Sequence, residues 1–365
     1  MLSLRLLRPR KATQVTEPEP LRCLERILRQ SIGPLAPHCN LLARLILAIL
    51  AERTISMTWI SSVLNTTALP ESNRTRVRRF FDDCRVSSEA FAKVIAAFLP
   101  HTPWILAIDR TNWFWGKTPC NLLVLTVTFK GCAVPLLWAS LDHQGNSDTN
   151  LRISLLSQFL QLFGLEKIKY LTGDREFTGE EWLKWLAKND ISFRLRIKKN
   201  NRVLTQKKQY KQVSSLFGRT NRCKAGRFIL FGVPVYLGGT LLRNGEWLIV
   251  ASSERGDLLT DYRRRWEIEC LFQALKGRGF DLECTRMTQQ HRLCALLGVL
   301  ALVYLVCVRA GQRIAEETCK STGRLRKSLF RRGLERMHRV ALAFVDPPSE
   351  REWRYFYKAF IPLKT

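Results

Sequence analysis

Residues 261–280 read DYRRRWEIECLFQALKGRGF, and their spacing predicts a helix with two different faces. At roughly 100° per residue, one face is apolar and suited to packing on a core, through Ile268, Leu271, Phe272 and Leu275. The other face combines one carboxylate with cationic groups and a phenol, in Tyr262, Arg265, Glu269 and Lys276. A solvated charged face is the simplest interpretation of this second group. Whether it is instead a functional site depends on features in the rest of the chain.

The composition indicates a large and strongly basic protein. The chain has 365 residues, of which 46% are hydrophobic, so it can form a sizeable core and roughly two or three domains. Its 59 lysines and arginines exceed its 31 aspartates and glutamates, which gives a net charge of +28. Such an excess indicates a polyanionic partner, most often nucleic acid. An anionic membrane surface is the alternative partner.

Three further patterns bear on the compartment. The longest apolar run, at 293–308, is shorter than the ~20 residues that span a bilayer, so it predicts a buried core helix. The N-terminus lacks the apolar segment and cleavage site of a signal peptide. Eleven cysteines occur without a CxxC pair, which argues against a zinc site and against a disulfide framework. We therefore expect a cytoplasmic protein that is not inserted into a membrane.

Changes in pattern divide the chain into five parts. Helical periodicity, with one arginine-rich helix, gives way to strand patterns near Trp104, and a glycine-, lysine- and arginine-rich stretch later interrupts the strands. The predicted parts are a flexible basic arm (1–19), a helical DNA-binding domain (20–100), an α/β core (101–197 and 253–315), an inserted β-rich subdomain (198–252) and a basic helical tail for DNA or dimer contacts (316–365). For the second part, a helical cap with a solvated basic face is the alternative.

Two short apolar strands are each predicted to end in an aspartate. Residues 104–109 read WILAID, and Asp174 follows the strand at 168–172. Open α/β sheets place their chemistry at strand ends, and Glu269 offers a third carboxylate. Three converging carboxylates repel one another unless a cation joins them, and oxygen ligands favour Mg²⁺ or Mn²⁺. Two such ions can activate a nucleophile that attacks a phosphodiester, the substrate that suits a chain of charge +28.

The polar residues of 261–280 also match a known pattern. Their spacing, Tyr-x2-Arg-x3-Glu-x6-Lys, resembles the YREK signature of bacterial insertion-sequence DDE transposases of the IS-four family. The resemblance extends to Asp109 in AIDRTNW, to Asp174 in TGDREF and to the β-rich insertion before Glu269. It covers roughly residues 100–310.

The resemblance implies a fold and a set of site residues. The fold class is α/β, with an RNase H-like mixed-sheet catalytic core that carries an inserted β subdomain and follows an all-helical N-terminal domain. Asp109, Asp174 and Glu269 would be catalytic and would hold two Mg²⁺ ions, for which Mn²⁺ can substitute. Tyr262, Arg265 and Lys276 would contact DNA phosphates.

Three more residues are candidates for DNA binding. By resemblance, Trp247 is similar in position to a tryptophan on which a flipped base stacks, and Trp266 matches the family pattern beside Arg265. Packing against the core is an equal alternative for both tryptophans. Arg110 flanks the first aspartate and could contact a phosphate.

The predicted function is cut-and-paste transposition of an insertion sequence. It comprises metal-dependent cleavage at terminal inverted repeats and strand transfer to target DNA. The partners would be double-stranded DNA, as transposon ends and target, and a second copy of the chain in a synaptic complex in the bacterial cytoplasm, at the nucleoid. A nuclease without strand transfer, an inactive DNA-binding derivative and a membrane-surface protein are the alternatives.

Overall fold

The computed structural model describes residues 19–32, 39–64, 66, 68–83, 87–217, 222–314 and 327–342. Its N-terminal part is helical, as predicted for 20–100. The helices are α1 (Glu19–Ile32), α2 (Cys39–Glu52), α3 (Met57–Ser62), α4 (Pro70–Asp82) and α5 (Ser88–Ala96). Local signals explain two of their starts, since Pro70 occupies the first turn of α4 and the Ser87 side chain accepts a hydrogen bond from the backbone N–H of Ala90.

The strands form one mixed sheet of ten members. They are β1 (Trp104–Trp115), β2 (Thr118–Phe129), β3 (Cys132–Leu141), β4 (Ile168–Gly173), β5 (Phe193–Arg196), β6 (Arg202–Leu204), β7 (Tyr210–Gln212), β8 (Arg222–Leu230), β9 (Val233–Leu241) and β10 (Trp247–Ser252). Their order is β3-β2-β1-β4-β5-β10-β9-β8-β6-β7. The pairs β1–β2 and β2–β3 are antiparallel, whereas β1–β4 and β4–β5 are parallel.

The strands predicted as an inserted subdomain at 198–252 continue this sheet. Strand β10 pairs antiparallel with β5 on one side and with β9 on the other. The insertion therefore shares backbone hydrogen bonds with the core, and Trp247, the first residue of β10, lies in the same sheet as the strands that carry the aspartates.

Six more α-helices follow in the part of the chain that the structure describes. They are α6 (Thr149–Phe163), α7 (Glu180–Lys188), α8 (Leu258–Arg263), α9 (Trp266–Leu275), α10 (Gln290–Gly311) and α11 (Leu329–Leu342). Helix α10 packs against β3, α2, α5 and α11, and so joins the N-terminal helices to the core. The amphipathic helix α11 buries its apolar face against α10 and α2.

The apolar run at 293–308 lies inside α10. Within the described residues, α10 is the one helix long and apolar enough to cross a membrane, and 94% of its most apolar window is buried inside the protein. Its apolar surface is thus already covered by neighbouring helices and by the sheet, as the prediction of a core helix requires.

The two terminal predicted segments lie mostly outside the described residues. These are the basic arm at 1–19 apart from Glu19, and the tail at 316–365 apart from residues 327–342.

Candidate active site

The segment predicted as one helix over 261–280 is in fact two helices, so that prediction was wrong. Helix α8 ends at Arg263 and α9 begins at Trp266. Between them the backbone N–H groups of Arg264 and Arg265 bond to carbonyls three residues back, on Asp261 and Tyr262. These shorter steps tighten the turn, which changes the direction of every side chain after it.

This tight turn separates two neighbouring side chains. Arg265 turns inward and is only 8% exposed, whereas Trp266 turns outward and is 59% exposed. Core packing, the alternative for Trp266, is therefore excluded. Lys276 follows the end of α9 and leaves the helical conformation.

Asp109 was predicted at a strand end, and that prediction was also wrong. Strand β1 continues for six residues beyond it, to Trp115, while remaining paired with β2. What ends at Asp109 is the pairing of β1 with β4, whose last partners are Ile108 and Gly173. Asp109 and Asp174 each follow that last pair, so both aspartates lie where the two parallel strands part.

Tyr262 and Arg265 contact all three predicted catalytic acids. Arg265 donates from Nη1 to Oδ2 of Asp109 over 3.1 Å, and its Nη2 forms an ion pair with Glu269. The hydroxyl of Tyr262 donates to Oδ1 of Asp174 over 3.3 Å. Residues up to 160 positions apart in the sequence, Asp109 and Glu269 among them, thus form one connected site.

The site is partly withdrawn from water, and its electrostatics reflect this. Burial raises the pKa of Asp109 to about 6, although the backbone N–H of Arg110 and the charge of Arg265 oppose the rise. The negative charges of Asp174 and Glu176 add to it. Burial likewise raises the pKa of Tyr262, which keeps its phenol protonated as a donor. Additional positive charge next to Asp109 would therefore favour the ionised form of this carboxyl group.

The donor set fits a hard divalent cation. Its ligands would be carboxylate oxygens, which Mg²⁺ and Mn²⁺ prefer. In the described part of the chain no group of three acidic, histidine or cysteine side chains is drawn together closely enough to hold an ion. Two of the acids, Asp109 and Glu269, instead pair with the guanidinium of Arg265.

Lys276 does not contact the three acids. Its ammonium donates to the backbone carbonyl of Asn112 over 2.9 Å and pairs with Glu283 at 2.9 Å. It also lies 5.9 Å from the centre of the Trp113 ring. The ammonium is thus placed at Asn112, three residues along β1 from Asp109.

Arg110 is held by the protein. Its Nε donates to Glu176 over 2.6 Å, and its two Nη atoms donate to Asn121 and Asn146, each over 3.2 Å. Glu176 also accepts from the backbone N–H of Ser147 over 3.0 Å. This network ties the residue after Asp109 to the segment after Asp174 and so fixes the spacing of the two aspartates.

Two residues that sequence reasoning missed, Arg196 and Glu246, form a chain of ion pairs that leads away from Asp174. Arg196 in β5 lies 3.5 Å from Oδ1 of Asp174 and donates to Glu246 over 2.8 Å. Glu246 also accepts from Arg175 over 2.9 Å. Only the pairing of β5 with β4 and β10 brings these charges together, so no local pattern could have indicated them.

Trp247 lies at the edge of a basic groove beside this network. The groove has a volume of about 440 Å³, and its lining includes Arg175, Arg196, Lys198 and Lys199. The indole is half-buried, with its ring centre 6.3 Å from that of Phe217. One aromatic surface thus borders a cationic groove close to Asp174.

Comparison with known protein families assigns the chain to one of them. The family model described as Transposase DDE domain matches residues 100–306, which is more than half of the chain. The chain therefore belongs to the DDE-domain transposases. This family carries out DNA transposition, a phosphoryl-transfer reaction on DNA, and generally uses divalent metals. No curated protein matches the chain in a sequence search.

Proposed function

We propose that the protein is a cut-and-paste transposase of the IS-four type, which cleaves the terminal inverted repeats of its own insertion sequence and joins the ends to target DNA. The observation that carries the proposal is the set of contacts from Arg265 to Asp109 and Glu269 and from Tyr262 to Asp174. Residues of the predicted YREK pattern and both upstream aspartates thereby meet in one site. The order β3-β2-β1-β4-β5, with β1, β4 and β5 parallel, supports an RNase H-like core.

Asp109, Asp174 and Glu269 would hold two Mg²⁺ ions, or Mn²⁺ in their place. When bound, such ions activate a water or a 3′-hydroxyl and stabilise the leaving oxygen of a phosphodiester. Tyr262 orients Asp174 through its hydroxyl, and Arg265 holds Asp109 and Glu269 at a fixed separation. Arg110 and Glu176 keep the two strand segments in place from the opposite side.

The same residues suit the binding of DNA beside the reacting phosphodiester. A guanidinium that is held between two carboxylates has the fork geometry that also matches a phosphate, and Arg265 provides one. Lys276 adds a point charge near Asn112. Trp247 offers a face for a flipped base, and the exposed Trp266 offers a second aromatic contact. Arg110 is a further candidate, and its guanidinium, like that of Arg265, already bonds to protein groups, here Glu176, Asn121 and Asn146.

Joining two ends to one target requires that both ends be held together. A homodimer on DNA is the simplest arrangement, with each copy supplying one set of acids. Such a protein would act at the nucleoid in the bacterial cytoplasm.

Incubation of the purified chain with Mg²⁺ and DNA bearing the repeats that flank its own gene tests the proposal. Nicked, hairpin and joined products are separated on one denaturing gel. We expect 3′ ends released at the repeats and then joined to a second DNA. Cleavage without joined products would instead identify a nuclease, and the absence of both would reject the proposed function.

A further inference from the structure

A second basic groove lies between the N-terminal helices and the core, outside the site described above. Its volume is about 380 Å³, and its walls come from α3, α4 and the segment 284–292. Among the lining residues that the structure describes, one acid, Glu71, faces four arginines, which are Arg74, Arg78, Arg286 and Arg292. This balance of charge suits a polyanion and does not suit an apolar ligand.

Three of these arginines are exposed, so their charge is available to a ligand in the groove. Arg74 and Arg78 are exposed and lie one helical turn apart on α4, so they share a face. Within the described residues neither forms an ion pair. Arg286 is exposed as well and lies 5.7 Å from the centre of the Trp115 ring. Arg292 differs, because it forms an ion pair with Asp82.

The walls of the groove are joined by specific contacts. The pair of Arg292 and Asp82 connects the start of α10 to the end of α4. The Thr54 hydroxyl lies 3.4 Å from Sγ of Cys284, which connects the N-terminal helices to the segment after α9. The groove is therefore a fixed junction between two parts of the fold.

Strand β1 connects this groove to the three acids. Side chains two residues apart share one face of a strand, so Asp109 and Trp115 lie on the same face of β1. Six residues of strand span ~20 Å, which matches about six nucleotides at 3.4 Å each. Lys276 lies between them at Asn112, and Arg286 continues the basic path from Trp115 into the groove.

We propose that the groove binds the phosphate backbone of the same duplex whose scissile phosphodiester lies at Asp109, Asp174 and Glu269, beyond Trp115 and so at least about six nucleotides from that bond. Arg74, Arg78 and Arg286 supply the phosphate contacts. The inference rests on the proposed function, because it takes the cleaved DNA as the occupant.

The test measures binding of the full-length chain, without divalent metal, to duplexes taken from the termini of the element that carries its gene. Each duplex has one arm, on either side of the cleavage position, shortened from twenty to three base pairs. The double variant Arg74→Ala/Arg78→Ala is compared with Arg76→Ala/Arg79→Ala, which removes two exposed arginines of the same helix that do not line the groove.

We expect shortening of one arm to weaken wild-type binding and to leave the Arg74→Ala/Arg78→Ala variant unchanged. That variant should also lower the slope of log affinity against log salt by about two, one for each lost phosphate contact. The Arg76→Ala/Arg79→Ala control should keep the wild-type dependence on arm length. The inference is overturned when both double variants respond to arm length as wild type does, or when both lose the response equally.

The outcome is separable from that of the proposed function. If the wild-type chain cleaves and joins DNA, but the Arg74→Ala/Arg78→Ala variant keeps the wild-type dependence on arm length, only the inference about the groove is overturned. If binding depends on Arg74 and Arg78 as expected, but the wild-type chain neither cuts nor joins the ends of the element, only the proposed function is overturned.

Discussion

Arg265 donates a hydrogen bond to Asp109 across 156 positions of sequence, over 3.1 Å, while its other Nη atom pairs with Glu269 four residues ahead. Arg265 as a whole residue is nearly buried, at 8% exposure. One side chain therefore links the strand that carries the first acid to the helix that carries the third. Its loss would leave two partly buried carboxylates without their cationic partner.

We expect Arg265→Ala to destabilise the metal-free protein by about 2–3 kcal/mol, because breaking a buried pair leaves an uncompensated charge. Added Mg²⁺ should recover part of that loss by supplying positive charge to the same acids. Thermal unfolding with and without Mg²⁺ measures both effects. Arg263→Ala, at an exposed neighbouring arginine, is the control and should change little. A wild-type melting temperature for metal-free Arg265→Ala would contradict the role assigned to this residue.

Replacement of each acid by its amide should abolish cleavage and strand transfer while DNA binding persists. Asp109→Asn, Asp174→Asn and Glu269→Gln keep the size of each side chain and remove the negative charge that would bind the cation. We expect activity to fall by roughly 10³-fold or more, since the ions would supply most of the charge stabilisation. Asp142→Asn, in an exposed acid paired with His143, should retain activity. Cleavage retained by any of the three amide variants would reject that residue as a ligand.

Trp247→Ala should impair formation or resolution of hairpin ends while leaving end binding intact, because base stacking on an aromatic face is worth about 1–3 kcal/mol per base. Trp247→Phe keeps an aromatic face and should retain most of the activity. Hairpin products are followed on a denaturing gel, and end binding by gel shift. Wild-type end processing by Trp247→Ala would show that the indole serves to pack against Phe217.

The crossing of α10 and α11 depends on two glycines. A Cβ atom at Gly333 would lie 1.7 Å from the carbonyl oxygen of Cys307 and 2.8 Å from the backbone nitrogen of Gly311. Because both neighbours are backbone, Gly333→Ala should separate the helices and cost roughly 3 kcal/mol. Gly277→Ala, where a Cβ meets nothing within 4 Å, is the matched control. Denaturant unfolding midpoints compare the two, and equal midpoints would show that the crossing can relax.

Much of the secondary structure was predictable from short-range sequence patterns. The N-terminal helices, the early strands and the buried apolar helix follow from local periodicity, and each appears in the structure. The prediction of a single helix over 261–280 was wrong because hydrophobic periodicity does not reveal a tightened turn at Arg264. The prediction that a strand ends at Asp109 was wrong for a related reason. An apolar run that stops does not end a strand whose backbone stays paired with β2.

The sequence by itself determined the residue types at the site, since the spacing of Tyr262, Arg265, Glu269 and Lys276 and the two upstream aspartates were all readable in one dimension. Only the tertiary structure decided how they are connected. Pairing of β1 with β4 brings Asp109 beside Asp174, and the tight turn aims Arg265 between Asp109 and Glu269. Arg196, Glu246 and the four-arginine groove needed the same information, because charges from distant segments meet only when strands and helices pack.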